Sequence, residues 1–307
     1  MRPHHVHLAS LLRALPVVMA GILPAGCVMT SQADGRFVER EERRFTVDGK
    51  PDVKLSTRDG AIEIRTWDKR EVLVVIEKRA LNKQAADAIP IESHQDGNRI
   101  SVEVKSRAER LSGWWFWAGF GEARLIVSMP AESNLEASTG DGSIDLQGVN
   151  GTISVRSGDG SIRAREVTGT LAARSGDGSI RLDTIKGAVD ANTGDGSIAI
   201  TGAFTGVRAR SGDGSIVVHA QQGSATESDW DISSGDGSVT VEVPDNFGAE
   251  LEARTGDGGV HLDGLALSNV SGDISRNRAS GRLGAGGHAM RVRTGDGSIN
   301  LRRVSVQ

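Results

Sequence analysis

Between residues 139 and 301, apolar side chains fall at every second position in short bursts that restart at a near-fixed interval. Each restart carries a Gly-Asp-Gly whose aspartates, Asp141, Asp159, Asp177, Asp195, Asp213, Asp236, Asp257 and Asp296, serve as a common origin. Three residues after each aspartate stands Ile144, Ile162, Ile180, Ile198, Ile216, Val239, Val260 or Ile299. Five residues after stands Leu146, Ala164, Leu182, Ile200, Val218, Val241, Leu262 or Leu301, with a mostly polar residue in between. A period of two predicts a strand with one face buried. A second apolar pair follows at +12 and +14 (Ile153 and Val155, Leu171 and Ala173, Val189 and Ala191, Val207 and Ala209), and a corner residue at +8 (Val149, Val167, Ile185). Each unit therefore carries at least two short strands.

The first five aspartates are 18 residues apart, and the later gaps are 23, 21 and 39. A period near twenty marks a solenoid, each unit being one coil laid on the one before. Eighteen residues cannot hold a crossover helix, so the reading is all-β: a parallel β-solenoid of roughly nine coils, about 43 Å long at about 4.8 Å per coil. The glycines of Gly-Asp-Gly are expected where a corner demands positive φ, with Asp or Ser bonding the turn backbone. Gly151, Gly169 and Gly187 mark the opposite corner. The core should be thin and aliphatic, and both ends need caps.

Before the regular repeats, residues 44–130 read as an N-terminal β cap with the first coils. Strands are expected at Val53–Leu55, Ile62–Ile64, Val72–Ile76, Ile100–Val104 and Leu125–Met129, and a short helix over Leu81–Ala88 ahead of Pro90. "TRDGAIEI" (Thr57–Ile64) keeps the repeat's phase, with Asp59, Ile62 and Ile64 in register, and reads as a degenerate first copy. "LSGWWFWAGF" gathers Trp114, Trp115, Phe116, Trp117 and Phe120. It is either a hydrophobic plug over the open solenoid end or a partner- or membrane-binding surface. Residues 220–231 and 264–289 read as insertions between coils, surface loops suited to binding.

These stacked "TGDGSI" turns resemble the bacterial adhesin-type β-strand-repeat proteins, a family largely of unknown function. The resemblance extends to "VPDNFGAELEARTGDGGV" (Val243–Val260), which echoes "MPAESNLEASTGDGSI" (Met129–Ile144), and to "GAGGHAMRVRTGDGSINL" (Gly284–Leu301). It covers Arg44 to Arg302 and implies a right-handed parallel β-helix-like fold in a cell-envelope setting, with no assigned catalytic residues.

Residues 1–27 read as an export signal: Arg2 and Arg13, an apolar run from Ala14 to Leu23, then small residues before Cys27. "LPAGC" resembles the lipobox of bacterial lipoproteins, departing from it at Pro24, and Cys27 is the sole cysteine. Disulfides are thereby excluded, and the thiol lies where lipidation would use it. Val28 in place of Asp favours the outer membrane over inner-membrane retention. Residues 28–43 read as a polar tether, and 131–307 as the repeat solenoid.

Composition adds 40 glycines, no tyrosine and a net charge of −4, without a basic block, which gives no support to nucleic-acid binding. The aspartate column (Asp141, Asp159, Asp177, Asp195, Asp213) invites calcium, but each motif supplies one carboxylate and one serine where calcium gathers about six to eight oxygens. Arg156, Arg174, Arg210, Arg254 and Arg293, three residues before five of the aspartates, are expected to neutralise the column instead. No cofactor and no catalytic residue is assigned. Paired carboxylates, a nucleophile elbow and a phosphate loop are all missing from the sequence. The reading is a non-catalytic, lipid-anchored envelope or surface scaffold that binds an envelope protein or glycan. An envelope-stress signalling role comes second and a carbohydrate-active β-helix enzyme third.

Overall fold

In the computed structural model, residues 28–33, 36–105, 121–270 and 275–304 are described. The N-terminal part runs β1 (Val28–Ala33), β2 (Arg36–Thr46), β3 (Asp52–Thr57), β4 (Ile62–Trp67), β5 (Glu71–Ala80), α1 (Lys83–Asp87), β6 (Ile91–Asp96), β7 (Arg99–Val104) and β8 (Glu122–Pro130). The regular part is β9 (Asn134–Thr139), β10 (Ile144–Gln147), β11 (Asn150–Ser157), β12 (Ile162–Ser175), β13 (Ile180–Thr193), β14 (Ile198–Ser211), β15 (Ile216–Ala220), β16 (Trp230–Ser234) and β17 (Val239–Pro244). It ends with β18 (Ala249–Thr255), β19 (Val260–Asp263), β20 (Leu267–Ser268), β21 (Arg278–Leu283), β22 (Ala289–Thr294) and β23 (Ile299–Val304). All five expected strands and the helix form. Asn82 caps the helix by accepting a bond from the Ala85 amide at 2.9 Å.

The strands wind into a β-solenoid with two parallel ladders, joined on one edge by the Gly-Asp-Gly turns. Along the first ladder the order is β1-β2-β5-β8-β4-β10-β12-β13-β14-β15-β17-β23-β19. Along the second it is β6-β7-β3-β9-β11-β12-β13-β14-β16-β22-β18-β21-β20. At about 4.8 Å per strand each ladder spans roughly 58 Å, the caps adding to the nine coils. The period-two apolar positions point inward: Ile62, Ile144, Ile162, Ile180, Ile198, Ile216, Val239 and Ile299 are at most 1 % exposed. Each such burial stabilises by about 1.5–3 kcal/mol. "TRDGAIEI" is a true coil, with Ile62 beside Ile144 and Ile64 beside Leu146.

Stacking order departs from chain order at both ends. The last coil, β22–β23, lies between the coil of Asp236 and the coil of Asp257, so the turns run Asp213, Asp236, Asp296, Asp257. At the other end, β3–β4 lies between β7–β8 and β9–β10. Residues 264–289 are therefore not simply a loop between neighbouring coils. They carry β21, which closes the end by pairing antiparallel with β18, and they route the chain back into the stack. Antiparallel β5 on β8 and β6 on β7 close the opposite end. Such closure shields strand edges from further pairing.

Residues 36–43, expected in the tether, form most of β2, paired antiparallel with β5 over ten positions. Charges that read as solvated are satisfied across strands: Arg40 with Glu77 at 2.7 Å, and Lys78 with Glu39 at 3.6 Å and Glu41 at 3.4 Å. The core is also not purely aliphatic. Trp230 is fully buried edge-on between Phe204 and Phe247, at 6.0 and 5.0 Å.

Candidate binding surfaces

The turn edge is held by a Ser or Thr two residues before each aspartate. Ser175 shows the arrangement: its hydroxyl accepts from the Gly178 amide at 3.1 Å and donates to the Gly160 carbonyl of the coil before at 2.9 Å. Ser157, Thr193, Ser211, Ser234, Thr255 and Thr294 donate alike to the neighbouring coil, at 2.7–2.9 Å. Thr139 donates to Gly60 at 3.0 Å. All are buried. Sequence reasoning gave the bonding of the turn backbone to Asp or Ser and did not single out the residue two before the aspartate. The signal was available, since a Ser or Thr stands there in all eight copies.

The Gly-Asp-Gly glycines also serve differently from expectation. None of them has positive φ; those values belong to the opposite corner, as in Gly169 (115°) and Gly187 (125°). Their hydrogens are needed because stacked turns nearly touch. A Cβ on Gly178 would lie 2.2 Å from the Gly160 carbonyl oxygen. Asp141, Asp159, Asp177, Asp195, Asp213, Asp236, Asp257 and Asp296 are left exposed on the ridge, with no ion-pair partner among the described residues. No group of three or more His, Cys, Asp or Glu is arranged to hold a metal ion among the described residues.

The arginines three residues before the aspartates do not neutralise that ridge. A strand turns them onto the outer sheet face, where acids of the same face meet four of the five. Arg156 pairs with Glu136 at 3.9 Å, Arg174 with Asp190 at 3.1 Å, Arg210 with Asp231, and Arg293 with Glu252 at 3.7 Å. Asp190 also meets Arg208 at 3.9 Å, so carboxylates bridge cations from coils above and below. Nearer the N-terminal end the same face forms a shallow groove lined by Asp52, Lys54, His94, Ser101, Asn134 and Glu136 around Val53, Ile100 and Leu135. Hydroxyl, amide, imidazole and ammonium groups there suit hydrogen bonding to a polar ligand, and its two carboxylates are already engaged, Asp52 accepting from Asn134 at 2.7 Å and Glu136 paired with Lys54 at 3.4 Å and Arg156 at 3.9 Å.

The first insertion is tied down, not free. Asp229 accepts from Arg291 at 2.9 Å and from the Ala289 amide at 3.2 Å, which together hold its carboxyl below the usual range. Thr226 bonds the Gly248 carbonyl at 2.8 Å. At the N-terminal cap, burial alone would raise the Glu77 carboxyl, but Arg40 and Arg79 outweigh it and hold it low. Cys27 and the stretch Trp114, Trp115, Phe116, Trp117 and Phe120 lie outside the described residues. No helix among the described residues is long and apolar enough to cross a membrane.

The profile of the Toastrack DUF4097 family matches residues 51–302. A solved structure from Bacteroides fragilis NCTC 9343, provisionally described as an adhesin, is 12% identical, with 86% of this chain and 97% of that chain covered at a TM-score of 0.47. A second provisional adhesin, from Parabacteroides merdae ATCC 43184, is 14% identical over 86% and 96%, at 0.46. A provisional cell adhesion protein from Clostridium sporogenes ATCC 15579 is 11% identical over 87% and 100%, at 0.30. No curated protein matches.

Proposed function

We propose that this chain, which belongs to the Toastrack DUF4097 family, is a non-catalytic, adhesin-like rod of the cell envelope, exported and lipid-anchored at Cys27. One observation carries the reading. The glycines and the Ser or Thr of each Gly-Asp-Gly turn are used up in joining coil to coil, and the aspartates left exposed beside them are the same on every coil. Eight such turns are architecture. What varies from coil to coil, and can recognise something, is the outer face of the strands.

The N-terminal strands bear on how the rod would stand. β1 begins at Val28, one residue after Cys27, and pairs with β2 instead of forming a loose tether. A lipid at Cys27 would set that end of the stack against the bilayer, the outer membrane being favoured by Val28. The other end would stand roughly 58 Å away. The occupant of its faces is an envelope protein or a glycan.

Two measurements on the full-length protein test this. Cys27→Ser should move the protein out of the washed membrane fraction, and an unchanged fraction would overturn the anchor. Binding to isolated envelopes should survive Asp177→Ala. Loss of both binding and a glycan-cleaving turnover in that variant would overturn the scaffold in favour of an enzyme.

A further inference from the structure

At the C-terminal end of the second ladder three consecutive strands place arginine beside arginine. In register, Arg254 of β18 has Arg293 of β22 on one side and Arg278 of β21 on the other. All three are exposed, as is Arg276, whose carbonyl accepts from the Val260 amide at 2.8 Å beside them. Like charges directly opposite one another destabilise a sheet. Elsewhere on this face the cost is offset by acids: Glu136, Asp190, Asp231 and Glu250 each hold an arginine. Here Arg293 shares Glu252 and Asp231, while Arg254, Arg276 and Arg278 have no acidic partner among the described residues.

Edge protection accounts for part of this. A cation on an uncovered strand edge discourages further pairing, and Arg278 sits on the stretch of β21 that β20 does not reach. Arg254 lies a strand further in, between two paired neighbours, where no edge needs guarding. The row also stands out in a protein of net charge −4.

A guanidinium offers a planar fork of donors that matches a carboxylate at two points. Three of them follow the stack axis in a single line, one per strand, at about 5 Å intervals. A line suits an extended polymer carrying an acid on successive monomers better than it suits a plane of lipid headgroups. We propose that the row Arg293–Arg254–Arg278, with Arg276 beside it, binds an acidic polysaccharide through its carboxylates. This deepens the envelope-binding reading and rests on it.

The test is titration of the full-length protein with polygalacturonate, neutral dextran and phosphatidylglycerol vesicles. Binding to polygalacturonate, weakening as salt is raised, is expected, with none to dextran. The double variant Arg254→Glu/Arg278→Glu should bind about tenfold or more weakly. Arg163→Glu/Arg181→Glu, a pair of exposed arginines on the other ladder, should bind as the wild type does. Thermal melting of each variant checks that the fold is kept. Equal binding by the Arg254/Arg278 variant, equal binding to dextran, or binding to vesicles alone would each overturn the proposal. Envelope binding without polygalacturonate binding would sink the arginine row alone, and binding to neither would sink the envelope reading with it.

Discussion

At each turn the hydroxyl, not the carboxylate, is the residue on which the stack depends. Ser175→Ala would strip the Gly178 amide and the Gly160 carbonyl of their buried partner. It should destabilise by about 1–3 kcal/mol in urea unfolding. Asp177→Ala, two residues on and exposed, should stay within about 0.5 kcal/mol. Near-equal losses would mean that the aspartate shares the turn's work. The opposite corner stores strain at non-glycine positions. Seven residues after the aspartate, Gly148 has φ 84°, and the next coils place Glu166 at 55° and Thr184 at 59°. A β-branched residue is poorly suited there. Thr184→Gly should stabilise by about 0.5–1 kcal/mol, net of the added freedom of the unfolded chain, visible as a higher melting temperature. The aspartates were legible because their spacing is rigid. The hydroxyl's role was not, because a Ser or Thr before a turn looks the same whether it faces water or the coil below.

The element that departs most from its sequence is β2. Its alternation is masked by Glu39, Glu41 and Arg43 on the face shared with Phe37 and Phe45, a face where only apolar residues announce a strand. Pairing with β5 sets Lys78 against Glu39 and Glu41, and that is a tertiary fact which no local pattern carries. The inward positions of the coils, by contrast, could be read from the repeat, although β12, β13 and β14 each run unbroken through 14 residues where two short strands were expected. The cap joined through β2 should be acid-sensitive. Glu77 is held below its ordinary 4.5 by Arg40 and Arg79. Its contribution is therefore complete above that value and is lost as pH falls through the lower folded value. Urea midpoints of wild type and Glu77→Gln should differ most at neutral pH and converge as pH falls below 4.5. A gap that stays constant down to strongly acid pH would show that the carboxylate's charge is immaterial.

At the scale of the molecule, coil number and rod form were legible, but stacking order was not. Every Gly-Asp-Gly edge can seat on every other, so a repeat sequence does not say which coil is whose neighbour. Only the 39-residue gap before Asp296 hinted at a detour. Removing residues 289–307 should do more than shorten the rod, because β18 and β16 both pair with β22. Hydrogen exchange should show lost protection in β16, β17, β18 and β21 together. Full protection in β18 would mean that its coil had slid one step to close the gap. The same intercalation changes how the rod would answer a pull. A terminal strand at a free edge peels, breaking its bonds one after another. β23 is gripped by β17 on one side and β19 on the other, so tension on the C-terminus loads both rows of bonds at once and must shear them. A rod under such a load would then yield last at the end where a simple spiral of coils would begin to unravel.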